Sequence, residues 1–266
     1  THRRLVGDGD RSGRAGGGKM KLRIATWNLN TWINRKNRVP LDGCWQWAEE
    51  NIRADVMILT EAPLEPPHAF RTDRRWAVRP GGFPGRSGWG TIIVGHKVGI
   101  EHLTEVEGRT IDASFPGSLT AANVILEEGP PITVCGIYLP YRKDSDGRFV
   151  GHPSRDLAEL KEDFKVLRRR SSGGLVIAGD FNHEHVVTPK AIRKIGRGER
   201  MVDVFGSDSR HTFRKENPPH DEFKLDYVFV NRDLRDRVIG ARGGFEDYPT
   251  AANWSDHAPL VVDFEL

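Results

Sequence analysis

From residue 20 onward the apolar residues fall mainly into short runs, several with a period of two. In KLRIATWN (21–28), Leu22, Ile24 and Thr26 share one face, the alternation of a strand with one side turned inward. LVVDFEL (260–266) repeats the pattern with Leu260, Val262, Phe264 and Leu266. Runs rich in β-branched residues at VMILT (56–60), GTIIVG (90–95), TAANVIL (120–126), ITVCGIYLP (132–140), LVIAGDF (175–181) and LDYVFV (225–230) predict further strands, because such side chains pack well on a pleated, half-buried surface. Three segments change to helical spacing. PSRDLAELKEDFKVLRRR (153–170) places Leu157, Leu160, Phe164 and Leu167 on one face behind Ser154 as cap, and its closing arginines suit a helix C-terminus. TPKAIRKIG (188–196) opens on Thr-Pro and stops at Gly196. CWQWAEENI (44–52) is the third.

Many strands, few helices, and neither repeat nor linker after residue 20 predict one domain over 20–266. Its class is α/β, with two packed sheets and helices outside them. Residues 1–19 differ: six glycines and only Leu5 and Val6 as large aliphatics offer too little apolar surface to offset the entropy of ordering. A disordered tail is expected there, with Met20 a candidate natural start.

Charge and composition add exclusions. The tail holds Arg3, Arg4, Arg11, Arg14 and Lys19 against Asp8 and Asp10, which accounts for the whole formal net charge of +3. The body is therefore balanced, and net charge alone points to no polyanionic partner. No run reaches the roughly 18 apolar residues of a membrane span, and residues 1–19 lack the apolar stretch of a signal peptide. Cys44 and Cys135 match no metal-binding spacing and read as buried thiols in a reducing compartment. The expectation is a cytoplasmic monomer, with no membrane attachment and no protein partner implied.

The chemistry gathers at strand ends. TWN (26–28) ends on Asn28, LTEAP (59–63) carries Glu61, GIYLP (136–140) carries Tyr138, GDFN (179–182) holds Asp180 and Asn182, LDYVF (225–229) opens on Asp226, and SDHAP (255–259) holds Asp256 and His257. Rigid sheets present chemistry at such ends, and oxygen donors suit a hard divalent cation. Singly, each has an ordinary reading: Asn28 as a turn residue, Glu61 as a solvated carboxylate, Tyr138 as a strand tyrosine, Asp226 as a strand-edge hydrogen bonder. His183, beside Asn182, reads as a solvated loop histidine. At one strand mouth, Asp256 and His257 are expected to point opposite ways.

Taken in order, with HTF (211–213) between GDFN and LDYVF, these stretches resemble the endonuclease/exonuclease/phosphatase superfamily over about residues 22–266. That group includes apurinic endonucleases, DNase I-like nucleases, sphingomyelinases and inositol phosphatases. The resemblance implies a four-layered α/β sandwich and a Mg²⁺- or Mn²⁺-dependent hydrolase of phosphate esters. It implies Glu61 as principal metal ligand, helped by Asn28 and Asp256, and Asp180 as the group that orients or deprotonates water. Asn182 and His257 would meet the phosphate oxygens, Asp226 would hold the His257 ring, and Tyr138 would bind phosphate or steady the leaving group. LTEAP lacks the Gln before, and the Lys after, the Glu that apurinic endonucleases usually show, which argues against abasic-site repair. No apolar hairpin of a secreted sphingomyelinase and no second module of an inositol phosphatase is evident.

Nucleic acid is the expected substrate. In FRTDRRWAVRPGGFPGRSGWGTII (70–93), Arg71, Arg74, Arg75, Arg79 and Arg86 are interleaved with Trp76, Phe83 and Trp89, a mixture that suits phosphates and unstacked bases. A surface loop with core tryptophans at its ends reads the same segment equally well. The alternatives are a phosphatase or phosphodiesterase of a small molecule or lipid headgroup and, from another class, a catalytically inactive binding module.

Overall fold

The computed structural model describes residues 19–31, 41–64, 67, 74–78, 89–111, 119–139, 142–143, 149–151, 160–182, 201–206, 210–215 and 222–266. Among them the chain lays down two six-stranded sheets in turn. β1 (Lys21–Asn28), β2 (Val56–Pro63), β3 (Arg74–Val78) and β4 (Trp89–His96) begin the first. The second follows with β5 (Gly99–His102), β6 (Leu119–Ile125), β7 (Ile132–Tyr138), β8 (Leu175–Asp180), β9 (Val202–Asp203) and β10 (Asp226–Val230). β11 (Val238–Gly243) and β12 (Leu260–Glu265) return to the first. The orders are β11-β12-β1-β2-β4-β3 and β9-β10-β8-β7-β6-β5. Both sheets are mixed: β1 runs parallel to β2 and antiparallel to β12, and β8 runs parallel to β7 and antiparallel to β10.

The period of two decides what each face buries. Leu22, Ile24, Val56, Ile58, Val262 and Phe264 of the first sheet meet Val124, Val134, Val176, Ala178 and Val228 of the second in one buried cluster. Each of these Val, Leu, Ile and Phe side chains contributes about 1.5–3 kcal/mol on leaving water. The alternate residues face outward under helices. Helix α1 (Leu41–Asn51) sets Cys44, Trp45 and Ala48 over Ala25, Trp27, Met57 and Leu59. Helix α2 (Lys161–Arg170) sets Phe164 and Leu167 over Cys135, Ile137, Ile177 and Phe229. Helix, sheet, sheet and helix make the four layers of an α/β sandwich.

The same alternation turns polar at one end. Continuing the inward face, β1 goes from Leu22 and Ile24 to Thr26 and Asn28, and β7 from Ile132 and Val134 to Gly136 and Tyr138. β8 goes from Val176 and Ala178 to Asp180, and β10, running the other way, starts at Asp226. Gly136 sets the spacing of the sheets just below this end: a Cβ there would lie 2.7 Å from Thr91 Cγ2 and 2.8 Å from Ile58 Cγ2.

The strands expected from sequence are present, α1 covers the 44–52 segment, and both cysteines are buried thiols. The helix expected over 153–170 is described only as Lys161–Arg170, preceded by Leu160, and its expected cap Ser154 lies outside the described residues. Residues 152–159, the helix expected over 188–196, His183, and residues 1–18 of the tail lie outside the described residues. Of the arginine-rich segment, the backbones of Arg74–Val78 and of Trp89 onward are strands, and the rest lies outside the described residues. No helix among the described residues is long and apolar enough to cross a membrane.

Candidate active site

Three hydrogen-bonded pairs bridge the two sheets at the polar end of the sandwich. Asn28 Nδ2 donates to Asp180 Oδ2 at 2.9 Å. The Tyr138 hydroxyl donates to Glu61 Oε1 at 2.5 Å. His257 Nδ1 lies 2.8 Å from Asp226 Oδ2. In each pair one residue belongs to the first sheet or the loop entering it, and the other to the second. Strand pairing explains the second-sheet half. Asp180 sits opposite Tyr138 on one side and Asp226 on the other, so the three form one row.

Glu61 reaches this site by breaking the strand rule. A strict period of two would send it outward with Met57 and Leu59. The register shifts between Leu59 and Ala62, and Glu61 adopts φ +45°. That left-handed backbone costs a non-glycine residue on the order of 1–2 kcal/mol. The bulge turns the carboxylate inward, and Thr31 Oγ1 donates to the Glu61 carbonyl.

Asp180 follows Gly179, whose φ is +141° and where a Cβ would sit 2.0 Å from the Ile137 carbonyl oxygen. Only glycine lets β8 approach β7 this closely. Asp180 then accepts from Asn182 N–H at 2.7 Å, Asn182 Nδ2 at 3.0 Å and Asn28 Nδ2 at 2.9 Å. Asn182 sits at φ +48°, a conformation asparagine adopts more readily than most residues.

The loop carrying Asp256 and His257 is sewn to the end of β1. Ser255 Oγ donates to the Asn28 carbonyl at 2.7 Å and accepts from His257 N–H at 3.1 Å. Trp27 Nε1 donates to the His257 carbonyl at 2.9 Å. His257 Nε2 lies 4.0 Å from Asp256 Oδ1 and 3.9 Å from Asp180 Oδ2. The expectation that Asp256 and His257 point opposite ways is therefore corrected: the hydrogen-bonded turn at Ser255 lets both converge on one site.

Burial and crowded charge tune these groups. Burial by itself disfavours the His257 imidazolium, but the facing carboxylates of Asp226 and Asp180, the hydrogen bond to Asp226 and the charge of Asp256 outweigh it and hold His257 well above an ordinary histidine. Burial raises Asp180, with the Asp226 charge adding to it, against the opposing pull of His257, the Asn182 N–H and Asn28. Burial likewise raises Glu61, against the hydrogen bond from Tyr138 and the charge of His257, with the neighbouring charge of Asp256 raising it further. Asp226 Oδ1 is buried and has no hydrogen-bond partner among the described residues.

Two groups of donors can be considered for a cation. Asp180, Asp226 and His257 bring one ligand atom each within 4.8 Å of one another, but Asp226 and His257 already bond to each other and Asp180 already accepts three N–H bonds. Glu61 and Asp256 are two like-charged carboxylates, close enough for the Asp256 charge to act on Glu61. That arrangement is costly without a positive charge between them, and its oxygen donors fit a hard divalent ion.

All eight residues singled out in the sequence converge here. Tyr138, expected to bind the phosphate or steady the leaving group, bonds to Glu61. Thr31 is marked by nothing in the sequence pattern, and Ser255 and Trp27 lie inside SDHAP and TWN without any sign there of the bonds they make.

Residues 25–257 match the family described as Endonuclease/Exonuclease/phosphatase family. No curated protein sequence matches the chain. Among solved structures, a 3′ phosphatase, NExo, from Neisseria, bound to a product DNA hairpin, is similar with TM-score 0.66 at 16% identity, over 92% of this chain and 100% of that one. An AP endonuclease from Archaeoglobus fulgidus is similar with TM-score 0.64 at 19% identity, over 92% and 100%. D. rerio TDP2 complexed with single strand DNA product is similar with TM-score 0.63 at 17% identity, over 92% and 99%. At these identities the likeness concerns the fold.

Proposed function

The chain belongs to the endonuclease/exonuclease/phosphatase family, and from that premise we propose that it is a divalent-metal-dependent phosphodiesterase acting on nucleic acid. The observation that carries this reading is the row of three cross-sheet pairs, which gathers a buried carboxylate base, a charged imidazole and a set of oxygen donors at one end of the sandwich. An inactive binding module has no use for three buried, charge-perturbed groups, since each costs stability to keep.

In this reading Glu61 and Asp256, with the Asn28 side chain, would hold Mg²⁺ or Mn²⁺. The ion supplies positive charge toward the phosphate oxygens and leaving group. Asp180, a stronger base than a surface aspartate because it is buried, orients a water and takes its proton. The amide of Asn182 fixes that carboxylate and meets a non-bridging oxygen. His257, kept as imidazolium by Asp226, directs Nε2 at the charge that builds on the phosphate. Tyr138 holds the Glu61 carboxylate in place.

Nucleic acid is favoured because two of the similar structures hold DNA. LTEAP continues to argue against abasic-site repair. The test is a panel of single-stranded DNA, duplex DNA, abasic DNA, RNA and small phosphate esters, with Mg²⁺, with Mn²⁺ and with excess chelator. Metal-dependent cleavage of a nucleic acid is expected. Turnover of small esters alone would transfer the reading to a small-molecule phosphatase, and full turnover after metal stripping would end it.

A further inference from the structure

We infer that Thr212 is a positioning residue for the Asp226–His257 pair, acting through its hydroxyl; the inference rests on the proposed reading of that pair. Asp226 opens a strand of the second sheet and His257 lies in the loop entering the first, so nothing in regular strand pairing fixes their distance. The segment 212–214 lies between them. Thr212 is fully buried. Its Oγ1 accepts the backbone N–H groups of Leu225 and Asp226, each at 3.0 Å. Its own N–H donates to the Phe223 carbonyl at 2.9 Å, and its carbonyl accepts from Ala258 N–H at 2.8 Å. One residue is therefore bonded both to the start of β10 and to the residue after His257.

The neighbours extend the bridge. Phe213 pairs with His257 through an isolated antiparallel bridge, and its ring lies 5.0 Å from the imidazole. Arg214 N–H donates to the Asp256 carbonyl at 2.9 Å. Phe213 and Arg214 fix the 256–257 side, whereas Leu225 and Asp226 are held by the Thr212 hydroxyl. Without that acceptor the N–H groups of Leu225 and Asp226 at the head of β10 lose their partner, and Asp226 keeps only its pairing with β8 to set its distance from His257. Among the described residues its Oδ1 receives no hydrogen bond, which leaves the carboxylate tied to His257 through Oδ2. A hydroxyl is needed here because it accepts two N–H bonds from within a buried turn, which valine of the same shape cannot do.

The test compares Thr212→Val, which keeps shape and removes the acceptor, with Thr212→Ser, which keeps the acceptor. The first measurement is the NMR signal of the His257 Nδ1–H proton, bonded to Asp226, in metal-free and substrate-free protein, assigned by its loss in His257→Gln. The second is kcat and KM on a substrate returned by the panel. For Thr212→Val we expect the Nδ1–H signal to move upfield or broaden beyond detection, and kcat to fall about ten- to a hundredfold with KM nearly unchanged, the usual range for partners that orient a reacting group. Thr212→Ser should restore both. Added to Asp226→Asn, Thr212→Val should cost little more, since both act on the same pair. If Thr212→Val does not fold, Thr212→Ala, which cannot clash, is compared with Thr212→Ser in the same way. An unchanged Nδ1–H signal in the folded variant lacking the hydroxyl overturns the inference, as does equal loss of kcat in Thr212→Ser. Because the NMR measurement needs no turnover, it decides the role of Thr212 even if the panel yields no substrate.

Discussion

The hydroxyl of Tyr138, in the second sheet, donates to Oε1 of Glu61, in the first, at 2.5 Å. A bond of this kind to an ionised acceptor is stronger than one between neutral groups, and it fixes a carboxylate whose backbone already departs from the strand. Tyr138→Phe should therefore weaken cation binding about ten- to a hundredfold, the range seen when a partner of a metal ligand is removed. Calorimetric titration with Mn²⁺ measures this directly. Unchanged affinity would show that Tyr138 serves the phosphate and not Glu61.

Gly136 should be felt at a distance. Its missing Cβ lets Thr91 and Ile58 approach across the sandwich, two residues below Tyr138. Gly136→Ala inserts a methyl into that contact, at a cost of about 1–3 kcal/mol. For a domain near this size each kcal/mol lowers Tm by about 2–4 °C, so a fall of about 2–12 °C is expected. Turnover should fall further than stability loss explains, because the three pairs all span the gap that widens. Calorimetry and kinetics on one sample test both; a lower Tm with wild-type kcat would show that the site tolerates the altered spacing.

Cys44 gives a pH prediction free of the site. Burial pushes its thiol up to about 11, above an ordinary cysteine, because a thiolate is disfavoured away from water. Its charged form is therefore scarce in the folded protein below that pH, whereas in the unfolded chain it titrates near its ordinary value. Stability linked to this thiol is level at neutral pH and falls as pH rises above the ordinary thiol value, flattening beyond about 11. Iodoacetamide at pH 8 should label Cys44 in denaturant and leave it unlabelled in native buffer, with mass spectrometry as the readout. Fast native labelling would mean that the contact between α1 and the first sheet opens readily.

What was legible in the sequence followed from periodicity. Leu22, Ile24 and Thr26 alternate, so β1 and its inner face could be read, and the same alternation carried the reading to Asn28 and Asp180. Glu61 shows where periodicity misleads, because the bulge at Leu59–Ala62 reverses its direction and no hydrophobic pattern encodes a bulge. The convergence of Asp256 and His257 was hidden for a related reason: it depends on the Ser255 hydroxyl reaching the Asn28 carbonyl, 227 residues away in sequence. The short β9 and the strands Gly99–His102 and Val238–Gly243 were missed because their runs are brief or interrupted by glycine. Thr212 lay inside a quoted stretch, yet its task appears only when Leu225 and Ala258 are seen beside it.

The central claim is that the charges at the end of the sandwich hydrolyse a phosphate ester, with Asp180 as base. Asp180→Asn keeps the size of the side chain and removes its ability to take a proton. The measurement is single-turnover cleavage of the preferred panel substrate by this variant at saturating Mn²⁺, with circular dichroism confirming the fold. The account predicts a rate at least about 10²-fold below wild type, the lower bound for losing a positioned base. A rate within about tenfold of wild type, well short of that loss, would contradict it.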